Sequence, residues 1–206
     1  MCLFQLSSVT GIRINGTNAW VHVARTNTLT HLASHSKRGQ AAFNHIGILN
    51  QFRGTLVRDG WFSYKWFGQC KHSLCNAHLL RDLTYIGEAE PPHEGWTTPL
   101  AKLLIEIKDA VEAARHNSQT ELDREQHEDF YRRYDALTAQ AQEAVRGSPE
   151  QKSAGLTAGK LLNRFIRNKV EDAFDSTCYL PYAGFGTDVY KLTVLNRGEV
   201  IANAND

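Results

Sequence analysis

The period of the hydrophobic pattern changes partway along this chain, and that change constrains the fold more than any single residue does. Up to about residue 86, short β-prone runs alternate with turn signals; beyond about residue 97, apolar residues recur every three or four positions over long stretches. Asn15-Gly16 is a strong two-residue hairpin signal between the strand Gly11–Asn15 and its partner Ala19–Ala24. A third strand, Leu29–Ser34, follows the polar turn Thr26-Asn27-Thr28, so three strands joined by short turns form an antiparallel meander. A helix is expected over 39–52, with Ala42, Phe43, Ile46 and Leu49 near one face and Gly47 weakening it. Then come a buried-type strand (54–58), a short helix (64–67), a last short strand (71–75) and a helix (77–86) with Leu79, Leu80, Leu83 and Ile86 inward. That order implies an α/β domain in which a mixed sheet is covered by helices, of the RNase H-like kind.

The segment from Glu88 to Pro99, with Pro91-Pro92 and Gly95, reads as a break. Beyond it lie three amphipathic stripes. The first is Leu100, Leu103, Leu104, Ile107, Val111 and Ala114; the second is Phe130, Tyr134, Leu137, Ala141 and Val145. The third is Leu161, Leu162, Phe165, Ile166, Val170 and Phe174, separated from the second by Gly147-Ser148-Pro149. Three such helices pack as a helical subdomain. From about Cys178 the pattern decays: a strand is expected at Leu192–Leu195 and disorder at Ala202–Asp206.

A net charge of +1 hides a division. Residues 11–82 carry nine Lys/Arg and only two Asp/Glu, whereas residues 83–206 carry fourteen and twenty. A basic front half and an acidic back half point to nucleic-acid contact by the former and argue against it over most of the latter. No run of about 18 apolar residues exists, so no membrane span is expected. Met1–Ser8 lacks the basic start of a signal peptide. Cys2, Cys70, Cys75 and Cys178 form no regular framework, which suits reduced thiols in a cytoplasmic protein.

Within the basic half, Gly54-Thr55-Leu56-Val57-Arg58-Asp59-Gly60-Trp61 leads a β-prone run straight into one isolated carboxylate. An acid at a strand end, surrounded by cations, suits metal-assisted phosphodiester chemistry: the acid holds a divalent ion and the field holds a polyanion. Asp-Gly after a strand is also an ordinary turn. Arg13, Arg25, Lys37, Arg38, Arg53, Arg58, Lys65, Lys71 and Arg81 are candidate phosphate contacts. Trp61, Tyr64, Trp66 and Phe67 either stack on unpaired bases or, as the more ordinary reading, pack beside the sheet. Cys70, His72, Cys75 and His78 are spaced too tightly for a usual structural zinc site, so a buried thiol and a hydrogen-bonded histidine at a helix start are favoured. A hydrolase triad lacks a convincing base and orienter.

Several pieces resemble the transposases of the insertion-sequence 66 family. They are Thr10-Gly11-Ile12-Arg13-Ile14-Asn15-Gly16, Trp20-Val21-His22-Val23-Ala24, Lys37-Arg38-Gly39, Gly47-Ile48-Leu49, Phe52-Arg53-Gly54, Asp59-Gly60-Trp61 and above all Cys75-Asn76-Ala77-His78-Leu79-Leu80-Arg81-Asp82-Leu83. The stretches 100–114 and 159–172 are also similar. The resemblance implies an RNase H-like core with three acidic residues holding two divalent ions, usually Mg²⁺, about 4 Å apart, for DNA cleavage and strand transfer. It makes Asp59 the second acid and a metal ligand, and Cys75 with His78 an element near the active site. The first acid's position holds Ser8, and Val9 stands where a Glu is usual. A hydroxyl does not supply the charge a hard cation wants. The third acid should follow a Pro and an Asp-Asn-Asn segment; Ala183-Gly184-Phe185 stands there instead, and counting from Pro181 puts Asp188 at its position.

The resemblance therefore implies three parts: a partial RNase H-like catalytic core (1–88), a helical insertion (97–177) and a divergent tail (178–206). It implies a truncated, catalytically impaired copy without the family's upstream DNA-recognition region. DNA is the expected partner, and the helical insertion would serve a homodimer that joins two DNA ends. The rivals are a non-catalytic DNA-binding remnant, a pseudogene product without a stable fold, and an unrelated RNase H-like nuclease, which would need further acids near Asp59. Asp82, the other acid of the basic half, is expected on a helix surface.

Overall fold

The computed structural model describes residues 4–26, 29–119, 121–147 and 155–168. Asn15 and Gly16 both take positive φ, 48° and 76°, which gives the turn the twist that two antiparallel strands need. This hairpin joins β1 (Phe4–Ile14) to β2 (Thr17–Arg25), with Ile14 opposite Thr17. β3 (Thr30–His35) adds antiparallel to β2 and completes the expected meander. β1 runs longer than its apolar pattern suggested, because its first residues pair on the other side with β4 (Thr55–Arg58).

The crossover from β3 to β4 carries the helix expected over 39–52, but as two pieces, α1 (Gln40–Ile46) and α2 (Ile48–Gln51). Gly47 separates them in a left-handed conformation (φ 79°), its N–H closing on the Phe43 carbonyl at 2.9 Å. β4 lies parallel to β1 and to β5 (Lys71–Leu74), which gives a five-stranded mixed sheet in the order β3-β2-β1-β4-β5. All four β4 residues are buried, as befits an inner strand covered on both faces. A 3-10 turn, Phe62–Trp66, links β4 to β5.

After β5 the chain is helical: α3 (Asn76–Ala89), α4 (Glu94–His116), α5 (Arg124–Arg146) and α6 (Ala158–Arg167). The break expected over 88–99 is a correction. It shrinks to the 3-10 turn Pro91–His93, and Gly95 and Pro99 lie inside α4. Pro99 forfeits one bond to the Gly95 carbonyl. Burial of Trp96, Thr97 and Leu100 outweighs that loss. α3 and α4 approach closely at Gly87, where an added Cβ would stand 2.8 Å from Thr97 Oγ1.

Two apolar clusters result. The first joins Phe43, Leu49, Leu56, Tyr64, Phe67 and Cys70 between the sheet, α1 and the 3-10 turn. The second gathers Leu79, Leu83 and Ile86 of α3 with the stripes of α4, α5 and α6. The three expected stripes pack into it except at Ile166, which is 38% exposed and faces away; Val170 and Phe174, like residues 178–206, lie outside the described residues. α3, read from the sequence with the front half, packs its buried face into the core of the back half.

Candidate nucleic-acid and cation site

Asp59 stands one residue past the end of β4. Its Oδ1 accepts a hydrogen bond from Trp61 N–H at 2.8 Å, so the Asp-Gly step is indeed a side-chain-braced turn. The parallel register pairs Ser7 with Arg58. Ser8 therefore falls level with Asp59 on the neighbouring strand, and the two positions read as first and second acid meet at one edge of the sheet. On the other side, Cys75 N–H donates to the Arg58 carbonyl at 2.8 Å, which joins the start of α3 to the same edge.

Arg38 reaches Asp59 from the loop between β3 and α1, with Nη2 3.9 Å from Oδ2. Its guanidinium lies 4.2 Å from the Trp61 ring centroid and 5.2 Å from that of Trp20. Two indoles thus hold one cation beside the carboxylate. Trp61 is held in turn by Phe43 (ring centroids 6.0 Å apart), which also contacts His22, Tyr64 and Phe67 at 5.2–5.5 Å. Of the aromatic cluster, Tyr64 and Phe67 are core, as the ordinary reading held; Trp66 is 55% exposed and forms an edge pair with Phe62, 62% exposed.

Arg58 is not on the surface. It is 1% exposed; its Nε donates to His72 Nδ1 at 3.1 Å and its Nη1 to the Asp59 carbonyl at 3.0 Å. His72 Nδ1 is therefore an acceptor, which leaves Nε2–H to donate to the Phe67 carbonyl at 3.1 Å. The apolar flanks of β4 carry Arg58 inward, so this cation braces the Asp59 turn rather than facing a phosphate. Arg13, Lys37, Lys65, Lys71 and Arg81 are exposed, and Arg38 is half-buried.

Cys75 and His78 sit at the start of α3 and both lie within the field of Asp59. Burial pushes the Cys75 thiol up, against the lowering effect of the His78 and Ala77 N–H groups. Burial likewise lowers His78, helped by the Arg81 charge and opposed by Asp59 and Asp82. The ring is thus neutral at pH 7, and among the described residues its buried Nδ1 has no hydrogen-bond partner. Cys70 is occupied elsewhere, its Sγ directed at the Phe52 carbonyl at 3.2 Å.

One residue escaped the sequence reading. Arg164 of α6 donates from Nη1 to Asp82 Oδ2 at 2.6 Å, and its guanidinium lies against Gly60, where a Cβ would come within 2.7 Å of Cζ. Asp82, expected on a helix surface, is instead 14% exposed and faces α6. In the sequence Arg164 merely separates two stripe residues, and nothing there ties residue 164 to residue 60.

Among the described residues no three His, Cys, Asp or Glu side chains converge as cation ligands. Asp59 has one carboxylate oxygen engaged by Trp61 and the other facing a guanidinium, and Asp82 is paired with Arg164. These residues do not by themselves fit a cage for two divalent ions, and Asp188 lies outside the described residues. Among the described residues no helix is long and apolar enough to cross a membrane.

Neither a curated protein nor a solved structure matches the chain. A family model, described as Transposase IS66 family, matches residues 8–173. That match runs from the Ser8 position through the Asp59 edge and α3 to the end of α6, and on it the chain belongs to the IS66 transposase family.

Proposed function

We propose that this chain is a DNA transposase with an RNase H-like core, impaired in cleavage but still able to hold DNA. Residues 1–88 would form the partial core and residues 97–177 a helical insertion that supports pairing of two copies on two DNA ends. The observation that carries the reading is the level placement of Ser8 and Asp59 on adjacent parallel strands. The strand order β3-β2-β1-β4-β5, with β2 and β3 antiparallel to a central β1, supports the RNase H-like assignment.

Impairment follows from the chemistry of that edge. Two Mg²⁺ ions need several converging oxygen anions. Position 8 offers a hydroxyl, and Asp59 already shares its charge with Arg38. Retained DNA contact is supported by the basic segment, in which Lys37, Lys65, Lys71 and Arg81 are exposed and Arg38 is half-buried. The non-catalytic DNA-binding reading is favoured over the pseudogene reading by the ordered aromatic–Arg38–Asp59 arrangement, which a decayed chain has no reason to keep.

The test uses the purified chain, a labelled duplex and Mg²⁺. Salt-dependent binding without strand cleavage is expected. Cleavage abolished by Asp59→Ala would overturn the impairment, and absence of binding at low salt would overturn the retained DNA contact.

A further inference from the structure

We infer that Arg164 is a DNA-phosphate contact supplied by the helical half of the molecule to the catalytic edge. The inference deepens the reading above and rests on it. α6 belongs to the core of the acidic back half, yet it carries this guanidinium to the Asp59-Gly60 turn. Its placement is held at both ends. The Glu90 carboxylate accepts from Ala158 N–H at 3.3 Å at the start of α6, and Tyr134 Oη donates to the Phe165 carbonyl at 3.0 Å next to Arg164.

The charges around that turn are unbalanced. Asp82 lies between two guanidiniums, 2.6 Å from Arg164 and 3.4 Å from Arg81, while Asp59 faces Arg38. Among the described residues four guanidiniums, those of Arg38, Arg58, Arg81 and Arg164, stand around that turn with two carboxylates. The surplus is two positive charges at the sheet edge where a DNA strand would be placed. The Arg164 side chain is 23% exposed while Asp82 holds its guanidinium in position. A planar guanidinium positioned by one carboxylate beside the catalytic edge suits phosphate recognition.

Gly60 provides the geometric handle. Its φ is not in the left-handed region, so alanine is tolerated by the backbone, but the new Cβ would occupy the place of the Arg164 guanidinium. A flexible arginine would swing aside rather than unfold the chain.

The experiment measures binding of a labelled mixed-sequence duplex across a salt series for wild type, Arg164→Gln, Gly60→Ala and Asp82→Asn, with thermal melting as a folding control. Arg164→Gln should weaken binding by about fivefold to tenfold and reduce the slope of log K against log salt by about 0.9, the signature of one lost phosphate contact. Gly60→Ala should weaken binding in the same direction. Asp82→Asn should tighten binding, because it removes a competing carboxylate while leaving the guanidinium. If Arg164 served only to pair with Asp82, both partners' substitutions would act alike on stability and neither would change the salt slope. An unchanged slope in Arg164→Gln, or weaker binding in Asp82→Asn, overturns the inference while the proposed function stands. A wild type that binds no DNA overturns both. Should Arg164→Gln fail to fold, the sign of the Asp82→Asn effect decides.

Discussion

Replacing Phe43 by alanine tests the aromatic support beneath the site. Phe43 is 3% exposed and contacts four rings, those of His22, Trp61, Tyr64 and Phe67, with centroids 5.2–6.0 Å away. Returning a buried phenyl to water costs about 2–3 kcal/mol. The cavity and the lost edge contacts raise the expected loss to about 4 kcal/mol, within the usual range for such a truncation. Against a typical domain stability of about 5–15 kcal/mol, that loss is large but survivable. Phe43→Leu, which keeps most of the volume, should cost about 1 kcal/mol. Urea unfolding followed by tryptophan fluorescence measures both. Because Trp61 rests on Phe43 and Arg38 rests on Trp61, the folded leucine variant should also bind DNA more weakly than wild type. A loss below about 1 kcal/mol for Phe43→Ala would refute the claim that this ring anchors the sheet to α1 and the 3-10 turn.

Burial first, then the charges of His35 and Arg38, lowers the pKa of His22 below the ordinary histidine value of 6.5, against the Lys37 carbonyl that raises it. As pH falls through 6.5 the unfolded chain takes up this proton before the folded one. Stability from neutral His22 is therefore complete above that pH and declines below it. Chemical denaturation across pH 5–8 should show His22→Gln flattening the acid-side slope by at most about 1.4 kcal/mol per pH unit, and an unchanged slope counts against it. Gly87→Ala should destabilise the chain by about 1–3 kcal/mol, because Thr97 is short and buried and has no room to yield the 2.8 Å approach; a thermal midpoint equal to wild type would show that α3 and α4 separate freely.

Local signals carried much of the architecture. Asn15-Gly16 defined the hairpin because positive φ at two successive positions strongly favours that pair. Gly47 marked the interruption of the crossover helix, and the apolar stripes marked α4, α5 and α6. The Gly95 and Pro99 signals misled because burial of Trp96 and Leu100 is a tertiary effect that no local pattern reports. Arg58 misled for a related reason: a cation in sequence implies a surface, but β4 is an inner strand and supplies His72 and a carbonyl as partners.

By itself, the sequence determined the element types, the charge division and Asp59 at a strand end, because each depends on residues near one another in the chain. The tertiary structure alone decided which of them meet. Parallel pairing of β1 with β4 set Ser8 level with Asp59, stacking on Trp20 and Trp61 aimed Arg38 at the carboxylate, and packing of α6 delivered Arg164 to Gly60. Those contacts join residues far apart in sequence. They arise from burying apolar faces whose polar passengers, guanidinium and carboxylate alike, are carried to the edge by the packing.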